Sequence, residues 1–77
     1  MNIKIGDIVK DISEFALKNI HLSFCRVTEI KKENNEIHIY GNWCEKIEDV
    51  DNKEKCSRNM YTDIESIEKI NNGWNLL

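Results

Sequence analysis

The chain reads as a mostly β domain, a single small closed barrel of about five short strands, and three observations predict it. Short apolar runs recur between polar breaks: Ile5-Gly6-Asp7-Ile8-Val9, Cys25 to Ile30, Ile37 to Trp43 and Tyr61 to Ile70. Segments 22–30 and 36–43 are rich in β-branched and aromatic residues and flank a wholly polar connection, Lys31 to Asn35, which is the pattern of a hairpin. At 77 residues, without internal repeat, low-complexity tract or linker, the chain has room for one domain spanning 1–77 and one compact core.

Each element has a local reason. Residues 3–9 alternate until Gly6-Asp7 interrupts them; glycine tolerates positive φ and aspartate bonds nearby amides, so the first strand is expected to be kinked. Asp11 followed by Glu14 forms a capping box, and Ile12, Phe15, Ala16 and Ile20 fall at helical spacing, which predicts a short helix over 12–19. A long irregular connection is the alternative there. In the hairpin, Ile37 and Ile39 share the core face, with His38 and Tyr40 on the other. Residues 44–59 are charged, with Ile47, Val50 and Cys56 as the apolar anchors, and are expected to form an exposed, mobile loop. Met60 and Tyr61 begin a short fourth strand, and Thr62 with Glu65 caps a helical turn near 62–69 that places Ile64 and Ile67 inward. Asn72-Gly73 then signals a tight turn before Trp74, Leu76 and Leu77, where a last strand closes the fold. The interior is expected to be mainly isoleucine.

Composition narrows the function classes. No apolar run approaches the ~18 residues of a membrane span, and the amino terminus lacks a secretory pattern, so a soluble, cytoplasmic protein without membrane contact is expected. Three cysteines without paired spacing fit free thiols in a reducing compartment. Ile, Asn and Lys supply 31 of the 77 residues, a usage the codon table links to an AT-rich genome, as in low-GC bacteria and their phages. The net charge of −3 lies wholly in the second half: residues 1–44 balance six basic against six acidic side chains, whereas 45–77 carry five against eight. That balance disfavours direct nucleic-acid binding by a broad basic face.

The order of motifs resembles small SH3-like β-barrel proteins of phages and mobile elements. In that pattern an opening Gly-Asp-x-Val strand precedes a Val-x-x-Ile strand, a turn, a strand ending in Trp, and a terminal acidic 3₁₀ turn. The matching positions are Gly6-Asp7-Ile8-Val9, Val27 to Ile30, Ile37 to Trp43, and Asp63-Ile64-Glu65-Ser66-Ile67. The resemblance implies a scaffold that binds rather than catalyses. Polyproline recognition is disfavoured, since the acidic-aromatic signature of peptide-binding SH3 domains is missing from the first loop.

Catalytic and metal chemistry find little footing. Cys25, Cys44, Cys56, His21 and His38 are the zinc-type ligands present, but there is no Cys-x-x-Cys knuckle, and apolar cysteines are the commoner case. No nucleophile-base spacing or Gly-rich loop supports an enzyme, so no catalytic residue, metal or cofactor is assigned. The expected partner-binding residues are Tyr40, Trp43, Glu45, Glu48, Asp49, Asp51 and Glu54, with Tyr40 and Trp43 partly exposed and Trp74 packed. Such a surface suits stoichiometric binding to a host protein with a basic nucleic-acid-binding groove, and in its sharpest form an anti-CRISPR-like inhibitor of a defence system. The alternatives are an SH3-like nucleic-acid-binding module using Lys4, Lys10, Lys18, Arg26, Lys31 and Lys32, or a regulatory accessory protein, including a homodimer paired through its last strand.

Overall fold

The computed structural model describes residues 2–71, so the turn and closing strand expected at 72–77, with Trp74, lie outside the described residues. In chain order the elements are β1 (Ile8–Asp11), α1 (Glu14–Lys18), β2 (Phe24–Arg26), β3 (Glu29–Glu33), β4 (Glu36–Asn42), β5 (Asn59–Asp63) and β6 (Ile67–Asn71). Two three-stranded antiparallel sheets result, ordered β2-β1-β6 and β3-β4-β5. The protein is therefore mostly β, but hydrogen bonding leaves two separate ladders and closes no barrel among the described residues.

The chain itself joins the sheets. The segment expected as one strand over 22–30 crosses from one sheet to the other at Val27 and Thr28. Val27 N–H donates to Asp7 O at 2.8 Å in the first sheet, and Thr28 N–H donates to Tyr40 O at 2.8 Å in the second. A bridge pair, Phe24 with Cys44, ties the far end of β4 back to β2.

The Gly6-Asp7 pair makes a turn, as its residue types foresee, but the turn stands ahead of β1, so the strand expected over 3–9 begins only at Ile8. Gly6 lies at φ +99°, and Asp7 closes the turn by accepting from Lys4 N–H at 3.0 Å on its carboxylate. A register shift between Ile8 and Val9 follows. Both residues are fully buried, because the first sheet is covered on both faces. Val9 joins Cys25, Val27, Ile39, Trp43 and Ile67 in the main core; Ile8 joins Cys44 and Val50 in a second one. Isoleucine shares the interior with valine, cysteine and Trp43, while Ile5, Ile12 and Ile20 are exposed.

The segment 44–59 is largely exposed, as expected, and the second core anchors it. Ile47, Val50 and Cys56 pack beneath two 3₁₀ turns, Ile47–Asp49 and Lys53–Lys55, and cover the outer side of β1. Its three apolar residues suffice to anchor a segment whose charges stay in water.

The hairpin turns at Asn34 and Asn35, with φ 51° and 68°, the paired left-handed geometry of a type I′ turn. β3 runs on to Glu33, past the polar break expected from Lys31, and pairs Glu33 with Glu36. Ile39 is fully buried and Ile37 packs against the main core, as alternation requires. Between β5 and β6 the expected turn is a short 3₁₀ segment, Ile64–Ser66, with Ile64 and Ile67 inward but without a side-chain cap from Thr62.

The helix is shorter than 12–19, and its cap is Ser13, whose hydroxyl accepts from Ala16 N–H at 3.3 Å. Asp11 instead accepts from Ser13 N–H at 2.9 Å. Five residues make little more than one turn, so only Ala16 faces the core. Ile12, Phe15 and Ile20, which share the helical spacing of Ala16, are exposed.

Candidate interaction face

Alternation along β4 sends Glu36, His38, Tyr40 and Asn42 to the outer face of the second sheet. The β4–β5 register sets Tyr40 opposite Tyr61 and His38 opposite Asp63. Tyr61 then lies over its neighbours, its ring centroid 4.2 Å from His38 in a stacked pair and 5.4 Å from Tyr40. This cover buries His38 although it points away from the core, while Tyr61 itself stays about half exposed. Lys31 Nζ sits 5.2 Å from the Tyr40 ring centroid, within cation–π range. Exposed carboxylates of Glu29, Glu33, Glu36 and Asp63 surround these rings.

Tyr61 also borders a hollow of about 200 Å³ lined by Phe15, Leu22, Trp43 and Met60. Along α1 and its flanks, Ile12, Phe15, Leu17 and Ile20 are 47%, 60%, 65% and 57% exposed. Four large apolar side chains within nine residues of α1 and its flanks are thus exposed, and one of them, Phe15, shares the hollow with Tyr61 of the aromatic sheet face. Leu17 had no place in the sequence reading. The signal that finds it is the shortness of the helix between Ser13 and Asn19, which turns its apolar residues to several sides.

The expected partner-binding residues do not form one patch. Tyr40 is half-buried on the sheet face. Trp43 is corrected: it is 3% exposed, and its indole N–H donates to Met60 O at 3.1 Å. The same alternation that places Ile37 and Ile39 inward continues through Gly41 to Trp43. Glu45, Glu48 and Glu54 are exposed on the far loop and Asp49 is half-buried there. Asp51 is engaged by Arg26, whose Nε and Nη2 donate to its carboxylate at 2.7 and 2.9 Å.

The thiols are free and mostly inward, with Cys25 and Cys44 buried and Cys56 half-buried. Burial pushes the Cys25 thiol far above its ordinary range, with help from Cys44 and Asp11, and pushes Cys44 up to about 12. Thiols held this firmly protonated are poor nucleophiles. Among the described residues, the one group of three potential donors within 4.8 Å of one another is Glu36, His38 and Asp63. No described helix is long and apolar enough to cross a membrane. No protein-family model matches the chain, and no curated protein or solved structure is similar enough to match it.

Proposed function

We propose that the chain is a non-catalytic protein-binding module whose partner docks on the apolar cap of Ile12, Phe15, Leu17 and Ile20 beside Tyr61. The observation that carries this reading is the exposure of those four side chains in so small a domain. Each is already about half covered, so completing its burial is worth about half of the roughly 1.5–3 kcal/mol of a whole side chain, and large apolar side chains left exposed in one short segment point to an interaction site. The adjoining carboxylates select a partner with an apolar ridge flanked by lysine or arginine.

The SH3-like kinship belongs to the same proposal. Supporting it are the Gly6-Asp7 turn, the passage from β2 into β3 at Val27-Thr28, the inward Trp43 ending its strand, and the 3₁₀ turn before β6. The sharper reading, inhibition of a host nucleic-acid-targeting system of anti-CRISPR type, keeps Glu45, Glu48 and Glu54 as a second contact for a basic groove. A nucleic-acid-binding role is weaker, because Arg26 is paired with Asp51 while Lys10 and Lys31 lie over the rings of Phe24 and Tyr40.

Photo-crosslinking residues placed singly at positions 17 and 48, in a cytoplasmic extract of a low-GC bacterium, distinguish the surfaces. A discrete heterologous product from position 17, abolished by Phe15→Ser, supports docking on the cap. Products from position 48 alone, or none from position 17, overturn it. A crosslinked second copy would make the cap a homodimer interface instead.

A further inference from the structure

His38 is a buried imidazole set among carboxylates on the outer face of the second sheet, with one nitrogen unpaired. Its side chain is 9% exposed, and Nδ1 has no hydrogen-bond partner among the described residues. Nε2 lies 3.2 Å from Glu36 Oε1 and 3.6 Å from Asp63 Oδ1, while Nδ1 lies 3.7 Å from Glu33 Oε2. We propose that Glu36, His38 and Asp63 bind a divalent transition-metal ion of the zinc class, with Glu33 facing the other ring nitrogen.

The backbone builds this arrangement. Glu36 and His38 alternate onto one face of β4, Asp63 stands opposite His38 on β5, and Glu33 pairs with Glu36 across the Asn34-Asn35 turn. Nitrogen and oxygen ligands at ~2.1 Å from a common zinc ion stand ~3.0–3.4 Å apart, so the two Nε2 to oxygen separations need only small rotations of exposed carboxylates to fit. One imidazole with two carboxylates is a donor set that suits such ions and leaves a coordination position for water.

A cation at Nε2 would stand between the imidazole and the carboxylates of Glu36 and Asp63, leaving Nδ1 to face Glu33, whose Oε2 lies 3.7 Å away, beyond hydrogen-bond reach. No protein cation takes that place among the described residues. Lys31, opposite His38 in register, is turned toward Glu29 at 3.8 Å and the Tyr40 ring. Tyr61, stacked on the imidazole, shields one side from water.

Zinc chloride titrated calorimetrically into metal-free protein, with nitrogen-detected spectra of the imidazole rings, tests the site. Expected are one ion per chain, proton release on binding, and a shift of His38 Nε2 rather than of His21. His38→Gln should abolish binding, Asp63→Asn should weaken it, and Glu33→Gln, which removes a charge facing the ring without touching a ligand, should weaken it less than Asp63→Asn. Asp63 and Glu33 are exposed, so those variants keep the test decisive should His38→Gln not fold. Absence of saturable binding overturns the proposal, as does zinc taken up by thiols or His21, or His38 remaining protonated on both nitrogens with zinc present.

Discussion

Arg26 on β2 grips Asp51 with two prongs, Nε to Oδ1 at 2.7 Å and Nη2 to Oδ2 at 2.9 Å, while its Nη1 donates to Gly6 O at 2.8 Å. One guanidinium thus ties the 44–59 segment to the first sheet and to the turn ahead of β1. The hydrogen bond from Arg26 holds the Asp51 carboxyl below its ordinary range, and Asp51 in return raises Arg26 further. A depressed carboxyl contributes stability that is present above its unfolded value of ~3.9 and is lost as pH falls through the folded one. Both side chains are partly in water, 35% and 67% exposed, so screening limits the pair to ~0.2–1 kcal/mol. Asp51→Asn should therefore lower stability by that amount at neutral pH, and the difference should vanish in acid and shrink in high salt. Urea unfolding of both proteins across pH and salt measures this.

Gly41 on β4 lies directly against Cys25 and Arg26 of β2 in the other sheet. A Cβ there would meet Cys25 Sγ at 2.5 Å and Arg26 O at 2.8 Å. Because one of these atoms is backbone, no side-chain rotation relieves the contact. Gly41→Ala should cost ~1–3 kcal/mol as overpacking. Removing the sulfur with Cys25→Ala in the same chain should rescue only part of that loss, a non-additivity that a double-mutant cycle of denaturation midpoints reads directly.

Period-two alternation was enough to read the core side of β4 at Ile37 and Ile39, and carried four residues further, through Gly41, it also reaches Trp43. The Asn-Asn turn was legible because its determinant is local, whereas the turn near Ile64 was placed by a Thr62 cap that does not form and is only a three-residue 3₁₀ segment before β6. What stayed hidden depends on register between distant segments. His38 is outward by alternation yet buried, because Tyr61, 23 positions later, is laid over it by the β4–β5 pairing. The acidic segment reads as free charge until Arg26, 25 residues earlier, is found on Asp51. Phe15 and Ile20 have helical spacing, but a helix of five residues has no second turn with which to bury them.

The thiols give the protein an alkaline limit. Cys25 and Cys44 are buried, and both stay protonated in the folded state well past their ordinary value of 9.0. The unfolded chain binds fewer protons than the native one once pH exceeds that value. The stability tied to these groups is thus complete below pH ~9 and declines above it, at up to ~1.4 kcal/mol per pH unit for each thiol. Cys44→Ala should flatten the decline by as much as one proton, although it lowers stability at neutral pH by opening space beside Ile8 and Val50. Thiol-reagent kinetics offer an independent readout. In native protein at neutral pH, Cys56, the half-buried one, should react first, and Cys25 and Cys44 only as fast as the fold opens, so their labelling should accelerate in Gly41→Ala. Equal labelling of all three thiols in the native state would mean that the cover of the second core by Ile47, Val50 and Cys56 does not hold in solution.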